Sequence, residues 1–434
     1  SRLNEDAQVE TPDSIAFLSV DDSFGNMPDQ VPNEVIPHIL KGLQDLPDAP
    51  GPLVWIYPFE EYHRYTFEQP DRLGEVFFGD WFIRGAVNNG LPLNTVINTS
   101  AFAAVMGSNP DKLKGSILVS PVPDSGSDAS KAMMDYIKCG GKVLLYGPVG
   151  HADAELLDML DIDLVEPLEG DFSISFDADI DQIDQPGLML IKHYSKFSGG
   201  GMDCVYKGKD ESDVIARAFQ VYDERLIALH RSEIEWNGGG AAWVRGSLSC
   251  DPDMLVNNVV EPFPADEVFR TERLMRFGLA RLGFEIAFRY NEPGQVLPVT
   301  CVARNRNAFV FSGYVPEQLV DISLCMPAGM PLIQNIQTRI ESGKTLYRMP
   351  RAWHQECRVF VEQDAGRLMC SDVAPIMVGV TWRYLVSGLN NATVRFFPVP
   401  GSEDKVVMLI NPQYPYTNND RVDYVLKDDS LGHY

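Results

Sequence analysis

The chain has 434 residues, with 36 Lys and Arg against 61 Asp and Glu for a formal net charge of −25, and 45% of its residues are hydrophobic. At about 150 residues per domain this length suggests about three domains with apolar side chains enough for real cores, which excludes a disordered or collagen-like chain. Strong acidity without a lysine or arginine cluster excludes nucleic acid and anionic membrane as the main partner, because phosphate recognition needs a basic footprint, and leaves a neutral substrate.

Residues 14–20 read as a first strand, and Asn33 then caps a helix with the apolar stripe Val35, Ile36, Ile39, Leu40 and Leu43, stopped by Pro47. Residues 53–57 are a second strand. A longer helix carries Val76, Phe77, Trp81, Ile83 and Val87 and stops at Asn88-Asn89-Gly90 before a strand at 93–98. A fourth strand is expected at 116–120, a helix at 129–138 closed by Gly140-Gly141, and a fully apolar strand of the buried parallel kind at 142–146. This alternation predicts a doubly wound α/β domain over residues 1–168.

Beyond Glu169 the pattern changes to strands at 171–180, 213–220, 225–230 and 241–248, with glycine-rich turns at 199–201 and 238–240, and a helix at 265–282 ending at Gly283. Residues 169–283 therefore read as a sheet extension and helix completing or flanking the first domain. From 284 to 434 the helical period disappears and short strands recur between Pro and Gly turns (309–312, 319–324, 344–348, 356–362, 392–397, 406–411 and 423–427), which predicts a C-terminal β-sandwich.

The seven cysteines show no CxxC spacing, so neither a disulfide framework nor a zinc site is expected. No run approaches the length of a membrane helix, and the polar, acidic first residues are no secretory signal, so a soluble, cytoplasmic protein without membrane contact is expected. The chain begins at Ser1 without methionine, which suggests a processed, tagged or excised piece of something longer.

The segment Lys114-Gly115-Ser116-Ile117-Leu118-Val119-Ser120-Pro121, followed by Met133-Met134-Asp135-Tyr136-Ile137-Lys138-Cys139-Gly140-Gly141-Lys142-Val143-Leu144-Leu145-Tyr146, resembles the class I glutamine amidotransferase-like domain of family forty-two glycoside hydrolases, the β-galactosidases, where it is called the trimerisation domain. The glycine pair closes a helix in the left-handed conformation and turns the chain into a central strand. The resemblance covers the first third of the chain, and the helix-then-β order after it is also similar. It implies a carbohydrate ligand and either a homo-oligomer or a partner that carries a catalytic barrel. Two departures limit what it implies. The turn Gly147-Pro148-Val149-Gly150-His151 lacks the nucleophilic cysteine of an amidotransferase, and no run of βα units is long enough for the barrel that holds the catalytic glutamates. No catalytic residue is therefore carried over.

The candidate substrate-binding residues lie in three places. Tyr57-Pro58-Phe59-Glu60-Glu61-Tyr62-His63-Arg64-Tyr65 follows a strand, where α/β sheets gather ligands; aromatic rings there suit sugar faces and Glu60 and Glu61 suit hydroxyls. The other reading of this loop is packing against another subunit. Trp81 lies on the neighbouring helix and joins either the site or the core. His354, Glu356 and Arg358 share one face of a strand and form either a polar ladder or a sugar-binding face.

Other patterns yield nothing. The alternating Asp177, Asp179 and Asp181 lack the glycine and closing glutamate of a calcium loop, Gln182 and Leu188 standing there. The Gly147 turn lacks the rest of a dinucleotide or P-loop fingerprint, and no nucleophile elbow is present. No cofactor and no metal is expected. The reading is a non-barrel portion or subunit of a glycoside hydrolase that contributes oligomerisation and substrate-site loops; its rivals are a non-catalytic sugar-binding or scaffold protein with a degenerate amidotransferase-like domain, and a complete enzyme acting through Glu60, Glu61 and His63.

Overall fold

The structure is a computed structural model that describes residues 1–12, 46–176, 189–250, 263 and 267–290, and shorter stretches at 299–305, 308–314, 320–325, 337–341, 344–349, 357–363, 369–373, 383–398, 407–409, 423–425 and 431–433. The expected strand at 14–20, the helix after Asn33, the acidic run from Asp177, and His354 and Glu356 lie outside the described residues.

The chain opens with β1 (Arg2–Leu3) and β2 (Val9–Glu10). After them come β3 (Leu53–Tyr57), α1 (Phe59–Phe67), α2 (Leu73–Asn88), β4 (Thr95–Asn98), α3 (Thr99–Ser108), β5 (Ile117–Pro121), α4 (Asp128–Lys138), β6 (Lys142–Tyr146), α5 (Ala154–Met159) and β7 (Ile162–Leu168). The next elements are β8 (Gly170–Phe176), β9 (Leu190–His193), β10 (Met202–Tyr206), β11 (Val214–Gln220), β12 (Asp223–Arg231), β13 (Gly240–Val244) and α6 (Leu274–Arg281). One sheet of eleven strands joins most of these in the order β2-β1-β4-β3-β5-β6-β13-β12-β11-β8-β9. Its centre from β1 to β13 is parallel, while β12, β11, β8 and β9 continue it as an antiparallel wing.

The central strands β3, β5, β6 and β13 are largely apolar, and the two-residue period divides them between two cores. Leu53, Ile117, Val119, Leu144, Tyr146, Ala242 and Val244 face α2 and α6, among Phe78, Phe82, Leu274, Met275 and Leu279. Val54, Ile56, Leu118, Val143, Leu145, Ala241 and Trp243 face the other way, among Phe102 and Val105 of α3 and Met133 and Ile137 of α4. Helices thus cover both faces, as the doubly wound reading requires. The strands expected after Glu169 enter this same sheet, which is therefore mixed rather than wholly parallel.

Two helices differ from expectation. The one read over 265–282 is only α6 behind a single 3₁₀ turn at Thr271–Arg273, because the Phe269 N–H is donated to Leu190 O of β9 and ties the preceding chain to the sheet edge. Helix α3 was not foreseen. Its run Ala101-Phe102-Ala103-Ala104-Val105-Met106 has no polar and apolar period to read, although the Asn98 side chain accepts the Ala101 N–H as a cap.

Past Gly283 the described residues are strands in small antiparallel sheets. Among them β14 (Glu285–Tyr290) belongs to a four-stranded sheet, and β15 (Val299–Asn305) pairs with β16 (Ala308–Tyr314). Arg304 of β15 donates to Pro50 O and Gly115 O, and Cys301 accepts from Asn94, so this hairpin covers the amino ends of β3, β4 and β5. No helix among the described residues is long and apolar enough to cross a membrane.

The glycine pair after α4 has a packing role as well as a conformational one. A Cβ on Gly141 would stand 2.2 Å from the ring of Tyr136, whose hydroxyl is fixed 3.0 Å from Leu113 O and 2.9 Å from Ser116 O. Gly141→Ala is expected to lower stability by about 1–3 kcal/mol. Gly107 of α3 has nothing within 4 Å of its Cβ position, and Gly107→Ala is expected to raise stability by about 0.5–1 kcal/mol. Urea unfolding of the two variants checks the opposite signs.

Candidate functional site at the carboxyl ends of the strands

The strand ends Tyr57, Asn98, Pro121 and Tyr146 all point to one end of the sheet, where α/β proteins gather ligands. The segment from Tyr57 to Tyr65, expected to be a loop, is the end of β3 followed by helix α1. Glu60 and Glu61 in its first turn favour the positive end of the helix, and no glycine interrupts it. Helical winding then sorts the side chains. Tyr62 and Tyr65 are buried, whereas Phe59 and Phe67 are 61% and 72% exposed and Glu60 and His63 also face outward.

The Glu61 carboxylate accepts from Thr99 Oγ1 at 2.9 Å, and Glu60 approaches Ser100 Oγ at 3.5 Å, so both acids sit against the amino end of α3. His63 packs its ring 4.7 Å from Phe67. Two residues along a helix is a turn of about 200°, so the structure does not bring Glu61 and His63 together as an acid–base pair. Tyr57 makes edge contacts with Trp55, at 4.9 Å between ring centroids, and with Tyr62, at 5.7 Å. Trp81 is apart from them: it is half-buried against Phe77, with the Arg84 guanidinium over its ring.

Behind α1 lies a cleft that the sequence did not announce. Asp124, in the turn after β5, accepts from Arg72 at 2.8 and 3.0 Å, from the Tyr65 hydroxyl at 2.6 Å and from Arg64 at 3.1 Å. The other edge of the Arg72 guanidinium donates to Glu75 at 2.6 and 2.7 Å, and its face lies 3.8 Å over the Tyr65 ring. Burial works against the ionised Asp124, yet the hydrogen bonds from Arg72 and Tyr65 outweigh it and hold the carboxyl below its usual range. Burial pushes the Tyr65 hydroxyl up, and its bond to Asp124 adds to the effect. His151, in the turn after β6, stands 3.7 Å from Glu75. The Arg72-x-x-Glu75 spacing was the one local clue to this network.

The cleft encloses about 40 Å³, space for about three waters and not for a sugar ring. Among the described residues no group of three or more His, Cys, Asp or Glu side chains could hold a metal ion.

The turn that packs on Glu75 and Pro148 of the cleft is held by a buried arginine and a buried, neutral histidine. Arg245, just after β13, is wholly buried and donates to the carbonyls of Ser198, Gly200 and Gly201. His193 reaches Gly200 O through Nε2 and Ser247 Oγ through Nδ1, both at 3.0 Å. Burial first, and Arg245 second, push its pKa down to about 3, so the ring is neutral, with Nε2–H donating. Gly199 and Gly200 take positive φ in this turn, and a Cβ on Gly199 would meet Glu75 and Pro148 at 3.4 Å, so the turn is packed onto the cleft.

No protein-family model and no curated protein sequence matches the chain. Among solved structures it is similar to the cold-adapted β-galactosidase from Rahnella sp. R3, at 11% identity and a TM-score of 0.37 over 70% of this chain and 41% of that one. It is similar to the β-galactosidase from the psychrophilic Marinomonas ef1, at 12% identity and 0.34 over 74% and 40%. A ThuA-like protein from Bacteroides uniformis gives 10% identity and 0.27 over 45% and 82%. The chain thus spans about two fifths of the length of the two β-galactosidases.

Two stability predictions follow from the cleft. Arg72→Leu removes the only cation bonded to both Asp124 and Glu75 among the described residues and is expected to cost about 2–3 kcal/mol in urea unfolding. Because the His193 pKa falls from 6.5 unfolded to about 3 folded, its contribution is fully present above pH 6.5 and is lost as pH falls toward 3. Between pH 7.5 and 5 the loss is about 2 kcal/mol, and His193→Gln, whose amide can still donate to Gly200 O, is expected to flatten that slope in pH-dependent unfolding.

Proposed function

We propose that this chain is the non-barrel portion, or a non-barrel subunit, of a carbohydrate-active enzyme of the glycoside hydrolase class, β-galactosidase-like, and that it contributes oligomerisation and substrate-site residues. Its arrangement in this reading is an amidotransferase-like domain over 1–168, a completing segment over 169–283 and a C-terminal β-sandwich over 284–434. The observation that carries the reading is the outward face of α1. At the ligand-binding end of the sheet, Tyr57, Phe59, Glu60, His63 and Phe67 present aromatic rings and a carboxylate to the outside, while the cleft beneath is too narrow for a sugar ring and its Asp124 and Glu75 are paired with arginine. Such a surface completes a site whose remaining walls come from another domain or subunit. Rings there cover sugar faces, and carboxylates accept from hydroxyls.

A second reading, a non-catalytic sugar-binding or scaffold protein, is favoured by the turn after β6. Gly147 stands near the place of an amidotransferase nucleophile, and its N–H and C=O are both engaged, with Val244 O and the Trp243 indole. The same protein without any barrel partner would fit that reading.

Hydrolysis of a panel of aryl glycosides by the purified chain, with native mass measured on the same sample, tests the proposal. The expected result is no turnover and a defined oligomer, with sugar affinity lowered at least about tenfold by Tyr57→Ala or Glu60→Gln while the circular dichroism stays unchanged. Turnover abolished by Glu60→Gln or Glu61→Gln would overturn it in favour of a complete enzyme.

A further inference from the structure

The Tyr62 side chain is only 8% exposed and its hydroxyl has no hydrogen-bond partner among the described residues, yet the oxygen is not one of the fully buried polar atoms left unpaired, so it opens onto the cleft it lines. A phenylalanine would pack this position equally well, so what the hydroxyl adds is a polar group facing the cleft. The oxygen has moreover been given room. Gly79 of α2 faces it, and a Cβ there would stand 1.8 Å from the Tyr62 oxygen, so any other residue at 79 would displace the hydroxyl.

The hydroxyl belongs to the cleft lined also by Tyr146, Glu75, Glu61 and Thr99. The Tyr146 oxygen accepts the Trp55 indole N–H at 3.1 Å, which leaves its own proton to give. Glu75 keeps lone pairs beyond those used by Arg72. Two phenolic donors beside a carboxylate acceptor match a group that both accepts and donates, which is an alcohol. An anion would meet Glu61, Glu75 and Asp124, and a cation would find Asp124 and Glu75 already paired with Arg64 and Arg72 and Glu61 bonded to Thr99. The size of the cleft admits a hydroxyl-bearing arm and not a ring.

We propose that this cleft is a binding subsite for the hydroxymethyl or vicinal-hydroxyl arm of a neutral polyol or sugar, recognised by the Tyr62 hydroxyl. That the ligand is a sugar rests on the carbohydrate reading above; that it carries an alcohol rests on the cleft alone. The ring of such a ligand would lie at the mouth, where Tyr57 contacts Tyr62.

The test uses the full chain, with glycerol, galactose and lactose as probes followed by tyrosine-ring NMR shifts, in the wild type and in Tyr62→Phe. At least one probe is expected to bind, with affinity lowered at least about tenfold by Tyr62→Phe and with no fall in Tm. Equal affinity in the variant would overturn the subsite and leave the carbohydrate reading standing on the outer face of α1. A lower Tm in the variant would show an internal bond to the hydroxyl and likewise overturn it. Tyr62-dependent binding of glycerol without either sugar would uphold the subsite and sink the carbohydrate reading; no binding of any probe would sink both.

Discussion

The rest of this molecule follows from one constraint: the strands β3, β5, β6 and β13 are covered on both faces. A polar side chain buried within such a strand needs an internal partner, and Tyr146 meets the Trp55 indole while Ser120 donates to Pro121 O. Alternate residues feed two separate cores, one under α2 and α6 and one under α3 and α4. Polar chemistry is thereby driven to the strand ends. The amino ends are covered by the β15–β16 hairpin through Arg304 and Cys301, which leaves the carboxyl ends to carry the tyrosines, carboxylates and arginines.

At that end the charges are arranged to cancel. Arg64 and Arg72 stand against Asp124 and Glu75, in a half-buried setting where Coulomb attraction exceeds its value in water and where an unbalanced charge would be costly. The network joins three segments from two βα units: Arg64 and Tyr65 from α1 and Arg72 and Glu75 from the start of α2, both after β3, and Asp124 from the turn after β5. It fastens two helices to the sheet end without any of them reaching into the cores. The charges of Asp124 and Glu75 are thereby largely offset, which suits a small uncharged polar group better than an ion.

What the sequence revealed was what repeats locally. The strand at 142–146 was legible to the residue because the four consecutive apolar positions Val143 to Tyr146, between a glycine pair with Lys142 and Gly147, admit one interpretation, and the helix before it because Met133, Met134 and Ile137 recur at helical spacing. Helix α1 was misread because its aromatic residues fall on both of its sides, so no stripe marks it. The cleft was illegible for a different reason. Asp124 lies 52 residues from Arg72 and 60 from Arg64, and nothing in a single sequence says that a turn after β5 will meet them. Of the site residues that could be named, Tyr57, Glu60, Glu61 and Tyr62 cluster around α1, whereas Trp81 packs elsewhere on α2.

The antiparallel wing is tied to this end by chemistry that carries no net switchable charge. Among the described residues Arg245 is buried without a carboxylate in hydrogen-bond contact and is held by carbonyl oxygens of the turn from Ser198 to Gly201, while His193 shares the Gly200 carbonyl with it. Two cations on one carbonyl would repel, so the guanidinium and the neutral imidazole are each a condition of the other. The turn they hold presses Gly199 onto Glu75 and Pro148, and Lys196 O onto Gly74, at the start of α2. Strands that come late in the chain therefore set the position of Glu75, and a substitution in the wing reaches the cleft through backbone packing rather than through charge.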